Sequence, residues 1–134
     1  QLVRTAREVP LLVAASADAE TSQVRQLIAA GAEVLQLPGK TSAERLSQLL
    51  DELGRRRMTN ILVEGGSQLL GSLFDAKLVD EAHCFIAPKI FGGSGAPSPI
   101  GGDGVSSAET ALQFIQPIRR QIGDDIYIHG RLKK

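Results

Sequence analysis

The sequence predicts an α/β protein, a mostly parallel sheet flanked by helices and finished by a C-terminal antiparallel hairpin. Three observations carry that prediction. Short apolar runs at residues 9–15, 34–37 and 61–63 alternate with segments of helical periodicity, which is the pattern of parallel strands joined by crossover helices. The links between them are short. Near the end, Ile122-Gly123-Asp124-Asp125-Ile126 places turn residues between two apolar stretches, the chemistry of a tight hairpin.

Each element has its own reason. Residues 9–15 form a continuous apolar run, read as a buried strand with Pro10 near its start, where a strand tolerates proline. Thr21 or Ser22 can cap the helix that follows, Val24, Leu27 and Ile28 lie at helical spacing, and Gly31 ends it. The next strand is residues 34–37. Thr41-Ser42-Ala43-Glu44 has the spacing of a capping box, after which Leu46, Leu49, Leu50 and Leu53 trace one face until Gly54 weakens the helix near its end. Ile61-Leu62-Val63 reads as a third interior strand, and Leu69, Leu70, Leu73 and Phe74 give helical periodicity to residues 67–76. Leu78-Val79-Asp80-Glu81 leads into a strand at residues 82–87, closed by Pro88. Residues 91–107, rich in Gly, Ser and Pro, are too irregular for an element and too long for a plain connection, so they form a functional lid or a mobile loop. In the final segment, Ile126 and Ile128 alternate with Tyr127 and His129, so one face of the hairpin is buried and the other partly polar.

Composition narrows the function. At 134 residues the chain is expected to form a single domain, and its formal net charge of zero disfavours a nucleic-acid partner. The dense cluster Arg55-Arg56-Arg57 sits at a helix C-terminus, where it complements the dipole. No apolar segment is long enough to cross a bilayer and the N-terminus lacks a signal-peptide pattern, so no membrane partner and a soluble, cytoplasmic location are expected. The single cysteine, Cys84, cannot form an internal disulfide and lies in an apolar strand as a small core residue. Gln1 enters at once into what reads as the middle of a fold, so the chain is expected to be a fragment of a longer one.

The most informative stretch is the corner Glu64-Gly65-Gly66-Ser67-Gln68-Leu69-Leu70, where an apolar run ends in a carboxylate and two glycines as a helix begins. Glycines permit tight turns and close approach of a ligand, and first-turn amides attract phosphate oxygens, so a phosphorylated ligand is expected there. The Gly-Gly pair alone is equally compatible with a simple chain reversal. Its spacing fits neither the dinucleotide fingerprint G-x-G-x-x-G nor the lysine-bearing P-loop. Glu64 lies at the carboxyl end of an expected strand, where open α/β sheets bind ligands, though a carboxylate there can also merely satisfy turn amides. His83 and His129 fall in strands without an evident carboxylate or second histidine at metal spacing, so both are read as structural and no metal site is expected. Asp80-Glu81 is read as a solvated turn. No G-x-S-x-G elbow occurs, and no residue stands out as a catalytic acid or base.

Taken in order, Leu62-Val63-Glu64-Gly65-Gly66, Gly71-Ser72-Leu73-Phe74, Leu78-Val79-Asp80-Glu81 and Ile86-Ala87-Pro88-Lys89-Ile90-Phe91-Gly92-Gly93 resemble the reductase domain of riboflavin biosynthesis, the C-terminal half of the bifunctional deaminase/reductase. The resemblance covers roughly residues 10–129 and implies a dihydrofolate-reductase-like fold. It implies NADPH as cofactor and reduction of the ribosyl group of a 5-amino-6-ribosylamino-pyrimidine 5′-phosphate to the ribityl form. By similarity, Glu64 contacts this phosphorylated aminopyrimidine, while Gly65, Gly66, Ser67, Gln68, Leu69, Leu70, Gly71 and Ser72 line the cofactor phosphates. A homodimer and a deaminase domain upstream in the parent chain are further implications. The family's domain begins well before the counterpart of Gln1, so residues 1–134 are expected to be a single reductase domain lacking its N-terminal part, with much of the substrate pocket missing and activity of the fragment alone in question. Two rivals differ from this reading: a non-catalytic α/β nucleotide-binding or interaction module, and a reductase acting on a pteridine or dihydrofolate.

Overall fold

The computed structural model describes residues 1–93 and 95–133, in two compact units, Gln1–Leu62 and Val63–Lys134. The first unit contains β1 (Leu12–Ser16), α1 (Thr21–Ala29), β2 (Glu33–Leu37) and α2 (Ser42–Arg55), after a short 3₁₀ turn at Leu2–Thr5. β1 and β2 pair in parallel from Leu12 opposite Glu33 to Ser16 opposite Leu37. A parallel pair needs a crossover, and α1 supplies it.

Helix ends follow the local chemistry except at the start of α1, where Glu20 is the N-cap without a side-chain cap and Thr21 is already helical, so neither Thr21 nor Ser22 caps it. Thr41 forms the expected capping box: its Oγ1 accepts from the Glu44 amide at 3.1 Å, and the Glu44 carboxylate accepts from the Thr41 amide at 3.2 Å. α1 closes in a Schellman motif, with Gly31 at φ +101° and the Ala32 amide donating to the Leu27 carbonyl. α2 closes the same way at Arg57, φ +63°, with Met58 donating to Leu53. The arginine cluster does more than meet a dipole. Arg56 holds both carboxylate oxygens of Glu33, at 2.8 and 2.5 Å, and Glu52 through Nε at 2.8 Å, tying the end of α2 to the start of β2. Arg55 also pairs with Glu52.

Ile61-Leu62-Val63 does not form the expected third parallel strand, so among the described residues parallel pairing is confined to β1 and β2. These residues make no ladder with either strand among the described residues, and Leu62 is 78% exposed. A β-prone apolar run becomes a strand only when a partner edge is available, and propensity alone does not provide one.

The second unit contains α3 (Ser67–Asp75), β3 (Glu81–Ile86), a 3₁₀ turn at Ala108–Thr110, β4 (Phe114–Ile122) and β5 (Asp125–Leu132). The three strands form an antiparallel sheet in the order β3-β5-β4. The expected hairpin is present: Ile122 pairs with Asp125, leaving Gly123 and Asp124 as a two-residue loop with Gly123 at φ +59°. A bulge interrupts β4 between Ile115 and Ile118, with Gln116 at φ +47°, and it accommodates Pro117 inside a strand. Ala6, Ala32 and Leu37 are buried in the first unit, Leu73 and Leu132 in the second. Cys84 is half-buried rather than deep in a core. No helix among the described residues is long and apolar enough to cross a membrane.

Candidate functional site

α3 begins at Ser67 because the apolar positions Leu69, Leu70, Leu73 and Phe74 recur at helical spacing from there, whereas Gly65 and Gly66 oppose continuation. Gly66 is the N-cap residue, in extended backbone at φ −69° and ψ 162°, and offers no side-chain cap. The first intrahelical bond runs from the Leu70 amide to the Gly66 carbonyl at 3.2 Å. The amides of Ser67, Gln68 and Leu69 therefore have no acceptor within the helix, and they carry the positive end of its dipole.

Neither Gly65 nor Gly66 has a positive φ, so the freedom of glycine to make a tight turn is not what this corner uses. A Cβ on Gly66 would meet nothing within 4 Å, and one on Gly65 would meet the Leu69 side chain, nearest at its Cδ2 methyl at 2.9 Å. The chain's own packing thus leaves the space above Gly66 open. Glu64 is exposed and makes no hydrogen bond or ion pair among the described residues.

Gly71 is glycine for a different reason. A Cβ there would lie 2.2 Å from the carbonyl carbon of Gly101 and 2.4 Å from the amide nitrogen of Gly102, so its open face is filled by the backbone of the glycine-rich loop. That loop is fastened to α3. The Gly101 amide donates to the Ser67 carbonyl at 2.9 Å, and the Asp75 carboxylate accepts from the amides of Asp103 at 2.8 Å and Gly104 at 3.2 Å. Ser72 donates its hydroxyl to the Gln68 carbonyl at 3.0 Å. Of the segment expected to be a lid or mobile loop, residues 101–104 are thus docked, residues 91–93 are exposed with Phe91 at 83%, and Ser94 lies outside the described residues. Asp75 carried no signal in the sequence, because its partners are backbone amides of a distant loop.

A shallow cavity of about 290 Å³ is lined by Lys77, Glu109, Thr110 and Lys133 among others, and by none of the corner residues. Orphan amides and an open glycine argue for the corner over that groove, because a diphosphate needs donors and close approach more than volume.

The strand histidines require a correction. Register places His83 of β3 directly opposite His129 of β5, with rings stacked at a centroid distance of 5.2 Å. Glu81, read as part of a solvated turn, opens β3 and brings Oε1 to 3.3 Å from His83 Nε2 and 3.4 Å from His129 Nδ1. Neither histidine lacks a carboxylate or a second histidine. Period-two alternation puts Glu81 and His83 on one face, but only the register of a strand more than 40 residues away, at His129, completes the group.

The family model described as the RibD C-terminal domain matches residues 1–127. The riboflavin biosynthesis protein RibD of Actinobacillus pleuropneumoniae is 34% identical over 128 residues, which cover 96% of this chain and 34% of that protein. The 2,5-diamino-6-ribosylamino-4(3H)-pyrimidinone 5′-phosphate reductase of Aquifex aeolicus is 29% identical over 112 residues, 84% of this chain and 49% of that one. Among solved structures, a pyrimidine reductase-like protein of Corynebacterium diphtheriae superposes with a TM-score of 0.72 at 25% identity, over 92% of this chain and 50% of that one. The chain thus spans about a third to a half of the length of these relatives. The α/β architecture with its antiparallel C-terminal hairpin is shared with these reductase-like folds. With the match running through both compact units, the chain belongs to the RibD C-terminal domain family.

Proposed function

We propose that the chain carries the reductase step of riboflavin biosynthesis, the NADPH-dependent reduction of the ribosyl group of a 5-amino-6-ribosylamino-pyrimidine 5′-phosphate to the ribityl form. Family membership and the names of the relatives support the reaction class. The observation that carries the cofactor reading is the uncapped start of α3 beneath the open face of Gly66. This donor set fits a diphosphate, which needs unsatisfied N–H groups and close backbone approach. Gly65 and Gly66 would admit it, and the amides of Ser67, Gln68 and Leu69 would bind its oxygens. The Ser67 hydroxyl and Gln68 amide add polar groups, and Leu69 and Leu70 an apolar flank. Gly71 and Ser72 act from behind, the first by docking the loop at Gly101 and the second by bonding the Gln68 carbonyl.

When bound, a reduced nicotinamide supplies the hydride. The protein's part is placement: fixed amides set the cofactor's register, and the exposed Glu64 carboxylate orients a hydroxyl or amino group of the substrate. No side chain is assigned as a proton donor. Residues 1–134 act as one reductase domain in this reading, with a deaminase domain upstream in the parent chain, in the cytoplasm. The protein assembles as a homodimer through the terminal strands, with β4 as the free edge because β5 is paired on both sides. Elution as a monomer at micromolar concentration in a sizing experiment would rule that assembly out.

The test of the corner is Gly66→Val. Gly66 has ordinary backbone angles and free space, so this variant should stay folded and lose only the N-cap preference of glycine over valine, about 1 kcal/mol, while NADPH affinity falls at least about tenfold, or roughly 1.4 kcal/mol. Unchanged affinity in a folded variant would reject the phosphate role. Glu64→Gln should weaken capture of the aminopyrimidine more than capture of NADPH, and equal effects on both would reject its substrate role.

A further inference from the structure

The cluster on the open face of the antiparallel sheet belongs to no part of the proposed reductase chemistry. Glu81 and His83 alternate onto one face of β3, and the register His83–His129 and Phe85–Tyr127 brings His129 and Tyr127 to the same face from β5. One ligand atom from each of Glu81, His83 and His129 lies within 4.8 Å of the other two. We propose that Glu81 Oε1, His83 Nε2 and His129 Nδ1 form a site for a zinc-class divalent transition metal ion that clips β3 to β5.

The distances carry the argument. Glu81 Oε1 stands 3.3 Å from His83 Nε2 and 3.4 Å from His129 Nδ1. A tetrahedral ion with bonds of about 2.0–2.1 Å requires its ligand atoms to sit about 3.3–3.4 Å apart along each edge. Two edges of that tetrahedron are thus already in place. Two imidazole nitrogens and one carboxylate oxygen are a donor set for borderline ions, whereas calcium and magnesium take oxygen ligands. The side chains are between 22% and 46% exposed, so an ion can enter from solvent and water can fill its remaining position.

The surroundings prepare one ligand further. His83 Nδ1 lies 2.6 Å from the Tyr127 hydroxyl. When Nδ1 carries the ring proton and donates it to Tyr127 Oη, the lone pair is left on Nε2, the atom that faces Glu81. A hydrogen bond on the far nitrogen is the usual device for fixing the tautomer and orientation of a metal-binding histidine. Tyr127 is here a positioning residue. Arg131, opposite Glu81 in the register, makes no ion pair with it among the described residues, so the carboxylate is not already spent on a cation.

The test is a titration of the untagged protein with Zn(II), followed by heat of binding and by the shift in melting temperature, with Co(II) as a spectroscopic probe. One ion per chain, a raised melting temperature reversed by EDTA, and the visible bands of Co(II) with nitrogen and oxygen ligands are expected. His83→Gln and His129→Gln should each abolish saturable binding while leaving the metal-free melting temperature at the parent's value. Tyr127→Phe should weaken binding about tenfold without changing stoichiometry. Cys84→Ser should bind as the parent does, since no thiolate takes part. Absence of saturable binding, or equal binding by the double variant His83→Gln/His129→Gln, would overturn the site. Parent-like affinity in Tyr127→Phe would overturn the positioning role.

Discussion

Replacing Gly71 with alanine tests whether the glycine-rich loop is built onto α3 or merely passes near it. The new Cβ would stand 2.2 Å from the carbonyl carbon of Gly101 and 2.3 Å from its oxygen, where ordinary carbon contacts lie at about 3.5–4.0 Å. Loop and helix must therefore separate by about 1.3 Å or more at that point. A displacement of that size takes the 2.9 Å bond from the Gly101 amide to the Ser67 carbonyl beyond hydrogen-bonding range and loosens the two amides held by Asp75. Three hydrogen bonds at about 1 kcal/mol each set the loss at about 3 kcal/mol. Alanine in place of glycine inside a helix returns up to about 1 kcal/mol, leaving Gly71→Ala less stable by about 2 kcal/mol. Gly54→Ala in α2 is the control, because a Cβ there would meet nothing within 4 Å and the same exchange should stabilise by about 0.5–1 kcal/mol. Urea denaturation at constant slope reads both changes, and amide exchange at Gly101, Asp103 and Gly104 reads the loop. If Gly71→Ala shifts the midpoint in the same direction as Gly54→Ala, and the three amides stay protected, the docking contact does not exist.

Two other perturbations bear on how the first unit is held together. Arg57 is exposed and closes α2 at φ +63°, a region costly for a residue with a Cβ, so Arg57→Gly should stabilise by about 1 kcal/mol; a loss of stability in thermal denaturation would place the arginine in a contact that matters more than its backbone. The Arg56 guanidinium holds the Glu33 carboxyl below its usual value of 4.5. A depressed carboxylate stabilises the fold fully above its unfolded value and loses that contribution as pH falls through the folded one. The stability difference between the parent and Glu33→Gln should accordingly narrow as pH falls below about 4.5, and should shrink in high salt at neutral pH because the carboxylate is exposed. A difference that stays constant from pH 7 to pH 3 would contradict the ion pair.

What could be read from the sequence was mostly what local chemistry decides, the cap of α1, which falls on Glu20 and not on Thr21 or Ser22, being the exception. The Thr41–Glu44 capping box, the closure at Gly31 and the two-residue hairpin loop at Gly123-Asp124 each depend on a few adjacent residues, and each is present. What could not be read depends on partners distant in the chain. Ile61-Leu62-Val63 has the composition of a strand, yet strand identity requires an edge to pair with, and the run finds none among the described residues. Glu81, His83 and His129 are unremarkable in sequence, because the register of β3 against β5 is what makes them neighbours. Asp75 was invisible for the same reason, since its acceptor role is defined by backbone amides 28 and 29 residues away.

The corner at α3 shows why residue type alone cannot separate packing from binding. Gly66 and Gly71 look equivalent in a motif, two small residues five positions apart in a segment matched as a whole to the RibD C-terminal domain. An added Cβ treats them as opposites. At Gly71 it collides with the chain's own backbone, so the fold itself accounts for the glycine and no ligand need be invoked. At Gly66 it meets nothing, and the backbone angles are ones that any residue adopts, so packing and strain do not require glycine there; only the N-cap preference for glycine over apolar residues, about 1 kcal/mol, favours it. Three amides without helical acceptors lie beside that space. An external group that accepts hydrogen bonds and comes close to the backbone explains the open face and the unpaired donors together, and this is why Gly66→Val is expected to separate binding from stability whereas Gly71→Ala is not.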